Sequence, residues 1–438
     1  MSITELYQIY LKHPRIQTDT RKLQAGDFFF ALKGDRFDGN TFAAQAIAAG
    51  AAAVVIDDPT AYIDERTILV TDVLQTLQQL AKHHRQQFRI PFIAITGSNG
   101  KTTSKELVHA VLSSQFKTYT TEGNLNNHIG IPLTLLRVGP DAEMAVIEMG
   151  ANHQQEIAGY CQYVLPTHGI ITNCGKAHLE GFGGVEGVKK GKGELFDFIR
   201  NQQGAAFVMW DYDYLRQMSR GITTCVTYGS HEADYLGEIA PRKESPTQDP
   251  FLHVKVTHTP QGDDNYTLKT QLVGDYNFAN IMLAVAVGSH FGVPSQKIVA
   301  AIESYAPSNS RSQLLQAGTN TIILDAYNAN PSSMRAAIEN FARLHADKKV
   351  LLLGAMAELG EESLAEHRSI AALIAQYHWE SVALVGGDFN KIDHPFLRFE
   401  NAVVAGQWFR EQHFEHTHLL IKGSRSSQME LVLQKKEA

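Results

Sequence analysis

The chain has 438 residues, 44% of them apolar and 19% charged, with a formal net charge of −7. That length exceeds what one hydrophobic core serves, so two or three domains are expected, and the composition excludes a disordered chain. The acidic balance with no basic block argues against nucleic-acid binding, and three cysteines without C-x-x-C spacing argue against a disulfide framework or a structural zinc site.

Residues 1–14, M-S-I-T-E-L-Y-Q-I-Y-L-K-H-P, carry an early glutamate and no long apolar core, unlike a secretory leader. The most apolar stretch, Ala43 to Ile56, holds Gln45 and Gly50 and is too short to cross a bilayer. A cytoplasmic protein without membrane insertion is expected. The first region, to about Arg89, offers the apolar run Asp27 to Leu32, a helix-like stretch from Thr41 to Ala49 and a strand at Ala53–Ile56. The polar run Lys82 to Gln87 reads as a linker.

The second region opens with the strand Phe92–Ile95, a glycine turn and a helix, in which Leu107, Ala110, Val111 and Ser114 fall on one face. Strands follow at Met144–Ile147 and Gly169–Thr172, alternating with helical segments, as in a parallel sheet covered on both faces. Tyr235 to Leu272 reads as a small antiparallel excursion. The third region, from about Pro307 to Arg311 onward, is again βαβα. It has strands at Thr321–Leu324, Val350–Leu353, Val382–Val385 and Leu419–Ile421. Asn330-Pro331 reads as an N-cap with proline at the first helical position, before a helix burying Met334, Ala337, Ile338, Phe341 and Leu344. The fold class expected is therefore α/β in three domains: residues 1–89, 90–306 and 307–438.

Residues 95–106, I-T-G-S-N-G-K-T-T-S-K-E, carry the chemistry. The pattern G-x-x-x-x-G-K-[ST] would place a glycine where Ile95 stands, so the loop is short by two residues. A strand, glycine turn and helix still aim backbone N–H groups and the helix dipole at one point, which suits a polyphosphate. Gly97 and Gly100 let the backbone close around oxygen, Lys101 can reach outer phosphates, and Thr102 can offer its hydroxyl to Mg²⁺. Glu148 and His178 end or follow neighbouring strands, where further ligands belong. Each is equally compatible with a structural role: a strand-end glutamate can pair with any lysine, and the chain has 19 histidines.

With these residues in place, the chain resembles the ATP-dependent Mur ligases of bacterial cell-wall synthesis. The resemblance rests on T-G-S-N-G-K-T-T, on D-T-R-K-L-Q-A-G-D-F-F-F-A-L-K-G at 19–34, and on G-N-L-N-N-H-I-G-I-P-L-T-L-L at 123–136. It extends to V-I-E-M-G at 146–150, A-H-L-E-G-F-G at 177–183, K-G-E-L at 192–195, D-A-Y-N-A-N-P-S-S-M at 325–334 and K-G-S-R at 422–425. Asn126-Asn127 and Y-N-A-N-P resemble the member that adds D-alanyl-D-alanine to UDP-N-acetylmuramoyl-tripeptide, and the D-N-P-R signature of a sibling is absent.

The resemblance implies a small N-terminal substrate domain, a central P-loop ATPase domain and a Rossmann-like C-terminal domain. It implies ATP and two Mg²⁺ ions, and a monomer whose partners are the tripeptide nucleotide and the dipeptide. ATP contacts would come from Gly97, Ser98, Asn99, Gly100, Lys101, Thr102 and Thr103, from Asn277 and Asn280, and from Arg311 and Asp325 of the third region. Tyr276 stands where the family shows histidine. Metal ligands would be Thr102, Glu148, His178 and a carbamylated Lys192, and catalysis would fall to Lys101, Glu148, His178 and Lys192. Without the resemblance, Lys192 reads as a plain surface lysine. The substrates would meet Thr20, Arg21 and Asn40 at the uridine end, Asn124, Asn126 and Asn127 along the peptide, and Tyr327, Asn328 and Asn330 at the dipeptide. His367 and Lys422 also match family positions, and Ala355 replaces a more usual aspartate. Competing readings are a folylpolyglutamate-synthase-like ligase of the same superfamily, a P-loop hydrolase or switch, and a silent binding module.

Overall fold

In the computed structural model, residues 1–35, 37–241, 250–262, 265–308 and 310–434 are described. They form three α/β units. The first holds a parallel sheet of Ile16–Gln17, Phe28–Phe30, Ala53–Ile56 and Thr67–Leu69 in that order. Phe28–Phe30 is buried throughout, as a parallel strand covered on both faces must be.

A nine-stranded sheet forms the middle of the molecule, in the order Tyr266–Val273, Phe251–His258, Tyr235–Ile239, Thr224–Gly229, Ala205–Met209, His168–Ile171, Phe92–Thr96, Met144–Glu148 and Thr118–Thr120. The first three strands pair antiparallel and the rest parallel, so the antiparallel excursion extends the edge of the main sheet. Phe92–Thr96 and Met144–Glu148 are wholly buried. Helix Lys101–Ser113 packs against Phe278–His290, and Glu156–Val164 against Val185–Asn201. The face that Lys101–Ser113 buries is Ser104, Lys105, Leu107, Val108, Val111 and Leu112. This corrects the expected set: Val108 and Leu112 take the places of Ala110 and Ser114, because the helix is packed both against the central sheet and against helices Phe278–His290 and Ser295–Ser304.

The third unit is a six-stranded sheet in the order Gln313–Ala317, Asn320–Asp325, His418–Lys422, Lys349–Gly354, Ser381–Val385 and Leu397–Phe399, with only the first pair antiparallel. The expected boundary stretch 307–311 includes residue 309, which lies outside the described residues. Helix Pro331–Arg343 is capped by Asn330, whose side chain accepts from Ser333 N while Ser333 accepts from Asn330 N. Its buried face has the expected composition.

The expected linker at Lys82 to Gln87 is a correction. Lys82 to Arg85 are the last turn of helix Val73–Arg85, and His84 and Arg85 are buried. The Arg85 guanidinium donates to the carbonyls of Val164, Leu165 and Phe88 and lies 3.7 Å from the Phe92 ring centroid. His84 bridges Tyr7 Oη and the Val138 carbonyl. These polar side chains fasten the first unit to the second.

Candidate active site between the central and third sheets

A cavity of about 660 Å³ opens at the C-terminal ends of the central parallel strands, and the third unit forms its other wall. Gly97 has φ +145°, and a Cβ there would lie 2.0 Å from Thr172 Oγ1. Thr172 Oγ1 instead donates to the Asn99 carbonyl at 2.6 Å, and Asn99 N donates to Asn173 Oδ1 at 3.0 Å. The glycine loop is thus sewn to the end of the neighbouring strand. Gly100 has φ +78°, and a Cβ would meet Asn280 Oδ1 at 2.7 Å. Helix Lys101–Ser113 starts directly after it with no side-chain cap, so its first N–H groups face the cavity as an anion site. Lys101 Nζ folds back onto the Gly97 carbonyl at 2.6 Å, and burial lowers its pKa from the ordinary lysine value.

Glu148 and His178 follow strands that flank Phe92–Thr96 on opposite sides, so they approach the loop from two directions. Glu148 is buried. Its Oε1 accepts from Asn126 Nδ2 at 2.8 Å and Thr102 Oγ1 at 3.2 Å, while Oε2 has no protein partner. An orphaned carboxylate oxygen beside a threonine hydroxyl and an anion site fits a divalent cation. His178 adopts φ +52°, and its Nδ1 lies 2.5 Å from Glu358 Oε2 of the third unit. This contact holds the Glu358 carboxyl below the usual carboxylate range. Among the described residues no three of His, Cys, Asp or Glu gather as a metal set, so Glu148 and Thr102 are the side chains already placed for a cation, and any further ligand would have to come from a shifted His178, a modified lysine or oxygens brought by substrates.

Lys192 is buried, which corrects the plain surface lysine read from the helix alone. Its Nζ donates to the Ala151 carbonyl at 2.9 Å and sits 4.8 Å from the Phe182 ring centroid. Burial first, and then the charge of Lys101, pull its pKa down to about 7. Lys192 stands just behind the cavity wall that Ala151 forms. Neighbouring Lys189 pairs instead with exposed Glu186.

Ser98, Asn99, Thr102 and Thr103 line the cavity beside Asn277 and Asn280. Both of these asparagines are buried. Asn280 Nδ2 donates to Asn277 Oδ1, and Asn280 Oδ1 accepts from Ser104 Oγ, so the pair buttresses Gly100 from below. Tyr276 Oη meets Ser312 Oγ at 2.9 Å, joining the central and third units. From the third unit, the Arg311 guanidinium stacks 3.6 Å from the Tyr327 ring centroid. Asp325 accepts from Lys422 Nζ at 2.5 Å and from Ser312 N at 3.1 Å, and Lys422 also donates to the Asn328 carbonyl. Asn330 Nδ2 donates to Asn99 Oδ1 at 2.7 Å, and Lys176 Nζ meets Glu366 at 2.5 Å.

Asn126 and Asn127 line the cavity; Asn124, Thr20, Arg21 and Asn40 do not. Asn40 is buried and spends its amide on Asp38, Asp57 and the backbone N–H groups of Asp57 and Asp58. Arg21 pairs with Asp19 on the surface. His367 is buried, with Nε2 accepting from Met356 N and Nδ1 against the Ser363 carbonyl, so it braces the third unit. Sequence reasoning missed Glu358, Asn173, and the stacked pair Tyr212–Tyr214, whose centroids are 5.7 Å apart in the cavity wall. Glu358 lies three residues after Ala355 in the stretch L-L-G-A-M-A-E-L-G, but nothing local shows that it crosses to His178.

Three family models cover most of the chain: the Mur ligase family catalytic domain at residues 14–85, the Mur ligase middle domain at 95–288, and the Mur ligase glutamate ligase domain at 310–418. The UDP-N-acetylmuramoyl-tripeptide--D-alanyl-D-alanine ligase of Bacillus subtilis is 36% identical over 365 residues, spanning 82% of this chain and 77% of that protein. The chain belongs to the Mur ligase family. Among solved family members, MurF from Acinetobacter baumannii superposes with a TM-score of 0.87 at 31% identity, covering 99% of this chain and 97% of its own. MurF from Thermotoga maritima, solved in complex with ADP, superposes with a TM-score of 0.85 at 26% identity, covering 97% and 96%. The three-domain architecture is common to the family fold.

Proposed function

We propose that the protein uses ATP to join D-alanyl-D-alanine to UDP-N-acetylmuramoyl-tripeptide, giving the pentapeptide nucleotide, ADP and phosphate. The observation that carries this reading is the meeting of an anion-binding glycine loop, the orphaned Glu148 carboxylate and the Tyr327–Asn330 segment in one cavity. The first two suit phosphoryl transfer, and the third supplies a wall for a second substrate.

A carboxylate is a poor acyl donor because oxide is a poor leaving group. Transfer of the γ-phosphoryl group to the tripeptide's terminal carboxylate replaces oxide with phosphate. The dipeptide amine then attacks the acyl carbon, and phosphate departs through a tetrahedral intermediate. The first-turn N–H groups and Lys101 stabilise the phosphoryl oxygens as charge shifts. Magnesium held by Glu148 and Thr102, with His178 and a carbamylated Lys192 as further ligands, would neutralise charge on the phosphates. A lysine with its pKa near 7 keeps a neutral amine fraction at neutral pH, which is the form that adds to CO₂.

Asn277, Asn280, Arg311 and Asp325 are assigned to the nucleotide. Asn124, Asn126 and Asn127 are assigned to the peptide, and Tyr327, Asn328 and Asn330 to the dipeptide. Thr20, Arg21 and Asn40 mark the uridine end in the first unit, away from the cavity. The domain limits 1–89, 90–306 and 307–438 belong to the same proposal, as do cytoplasmic location and a monomeric state. Among the described residues no helix is long and apolar enough to cross a membrane. The contacts Asn99–Asn330, Lys176–Glu366 and His178–Glu358 hold the walls together, which would keep water from an acyl phosphate.

The test is isotope transfer. Tripeptide nucleotide labelled with ¹⁸O in its terminal carboxylate should pass one label to the released phosphate. Unlabelled phosphate would rule out acyl-phosphate chemistry.

A further inference from the structure

We propose that Lys105 is a positioning residue that sets the carboxylate of Glu148 against the phosphate loop, an inference that rests on Glu148 serving as a cation ligand. Lys105 lies one turn beyond Lys101 on the same helix, but its side chain is fully buried and does not line the cavity. Its Nζ donates to the Thr121 carbonyl at 2.6 Å and pairs with Glu106 Oε1 at 2.7 Å. An ammonium taken out of water is tolerated only where such partners are held in place, so the geometry around it is tightly specified.

Thr121 connects this cation to the site. It is fully buried, its N–H donates to the Val146 carbonyl at 3.2 Å, and its Oγ1 accepts from Glu148 N at 3.0 Å. The chain then runs on to Asn126, whose Nδ2 holds Glu148 Oε1 and whose carbonyl accepts from Gly150 N at 2.8 Å. The segment that leaves strand Thr118–Thr120 therefore touches Glu148 at its backbone and again at its side chain. Lys105 pins the first residue of that segment to the helix that carries Lys101 and Thr102. One helix thus supplies the anion site, the threonine hydroxyl and, through Lys105 and Thr121, the placement of the facing carboxylate.

Losing the Lys105 ammonium would leave the Thr121 carbonyl unpaired and loosen Thr121 and Asn126 on Glu148. Cation binding should suffer while nucleotide binding without metal does not. The test titrates Mn²⁺ by electron paramagnetic resonance into the full-length protein saturated with ADP, using wild type, Lys105→Met, Thr121→Val, Thr121→Ser and Glu148→Gln. Metal-free ADP affinity and the Mg²⁺ half-saturation of the reaction are measured alongside.

Lys105→Met and Thr121→Val are expected to weaken Mn²⁺ binding at least fivefold and to raise the Mg²⁺ half-saturation. Metal-free ADP affinity and the KM for the dipeptide should stay within twofold of wild type, and Thr121→Ser, which keeps the hydroxyl, should match wild type. If Glu148→Gln weakens Mn²⁺ binding while Lys105→Met does not, the positioning role is overturned and the Glu148 reading stands. If Glu148→Gln itself binds Mn²⁺ as wild type does, the cation reading of Glu148 fails, and this inference with it. Should Lys105→Met not fold, Thr121→Val against Thr121→Ser decides: equal Mn²⁺ affinity in the two overturns the proposal.

Discussion

Asn330, the N-cap of a third-unit helix, donates from Nδ2 to Oδ1 of Asn99 in the phosphate loop at 2.7 Å, across 231 residues of sequence. One asparagine therefore serves two ends: its Oδ1 accepts from Ser333 N to start the helix, and its amide nitrogen ties that helix to the loop. The two roles separate by substitution. Asn330→Ser keeps a good cap but cannot reach Asn99, so its stability should match wild type to within about 0.5 kcal/mol while the KM for ATP rises several-fold. Asn330→Ala should lose about 1 kcal/mol in addition. Chemical denaturation and initial rates measure both, and an unchanged KM in both variants would remove the contact from the account of closure.

Gly97 and Gly292 both have positive φ, but only at Gly97 would a Cβ strike a neighbour, Thr172 Oγ1. Gly97→Ala should weaken ADP binding at least tenfold in calorimetry, because the loop must move off Asn173 and Thr172. Gly292→Ala meets open space and should leave binding unchanged, with a stability loss of about 1 kcal/mol from backbone strain alone.

Lys192→Ala should lower activity by about two orders of magnitude, the scale of losing one charged group that acts at a phosphoryl centre. Added formate or propionate should restore part of it, since a small carboxylate can enter the space the side chain vacates and supply an anionic oxygen. Unchanged activity in Lys192→Ala would end the carbamate assignment.

His168 lies at the opposite end of the central strands, against the rings of Phe207, His290 and Phe291. Burial, and then the His290 charge, depress its pKa to about 4 from 6.5. The unfolded chain then takes up a proton before the folded chain does. The stability tied to neutral His168 is therefore complete above pH 6.5 and is lost as pH falls from there toward 4, by at most about 3 kcal/mol. His168→Phe should flatten the fall in melting temperature across that window relative to wild type. Parallel profiles would contradict the shift.

Much of the fold was legible because parallel strands buried on both faces read as apolar runs, as at Phe92–Thr96 and Lys349–Gly354. Asn330-Pro331 was legible for a local reason, since capping depends on residues three apart. What polarity hid was burial through hydrogen bonding. Arg85 and His84 reach carbonyls of the central unit and turned an apparent linker into the end of a helix. Lys105 and Lys192 are fully buried inside polar stretches of their helices, and only the packed structure reveals it. Within the site, Glu148 and His178 follow successive parallel strands in the chain, yet the sheet places them on either side of the loop strand. Strand order is a long-range property, and so is the pairing of His178 with Glu358. No local pattern carries either.

The central claim is that phosphate release is tied to making an amide bond. Phosphate release should be followed with ATP, UDP-N-acetylmuramoyl-tripeptide and D-alanyl-D-alanine together, and with each left out in turn. Sustained release only when all three are present is the predicted result. Release at the same rate without the dipeptide, as a nucleotide hydrolase or switch would give, or no release with all three present, would contradict it.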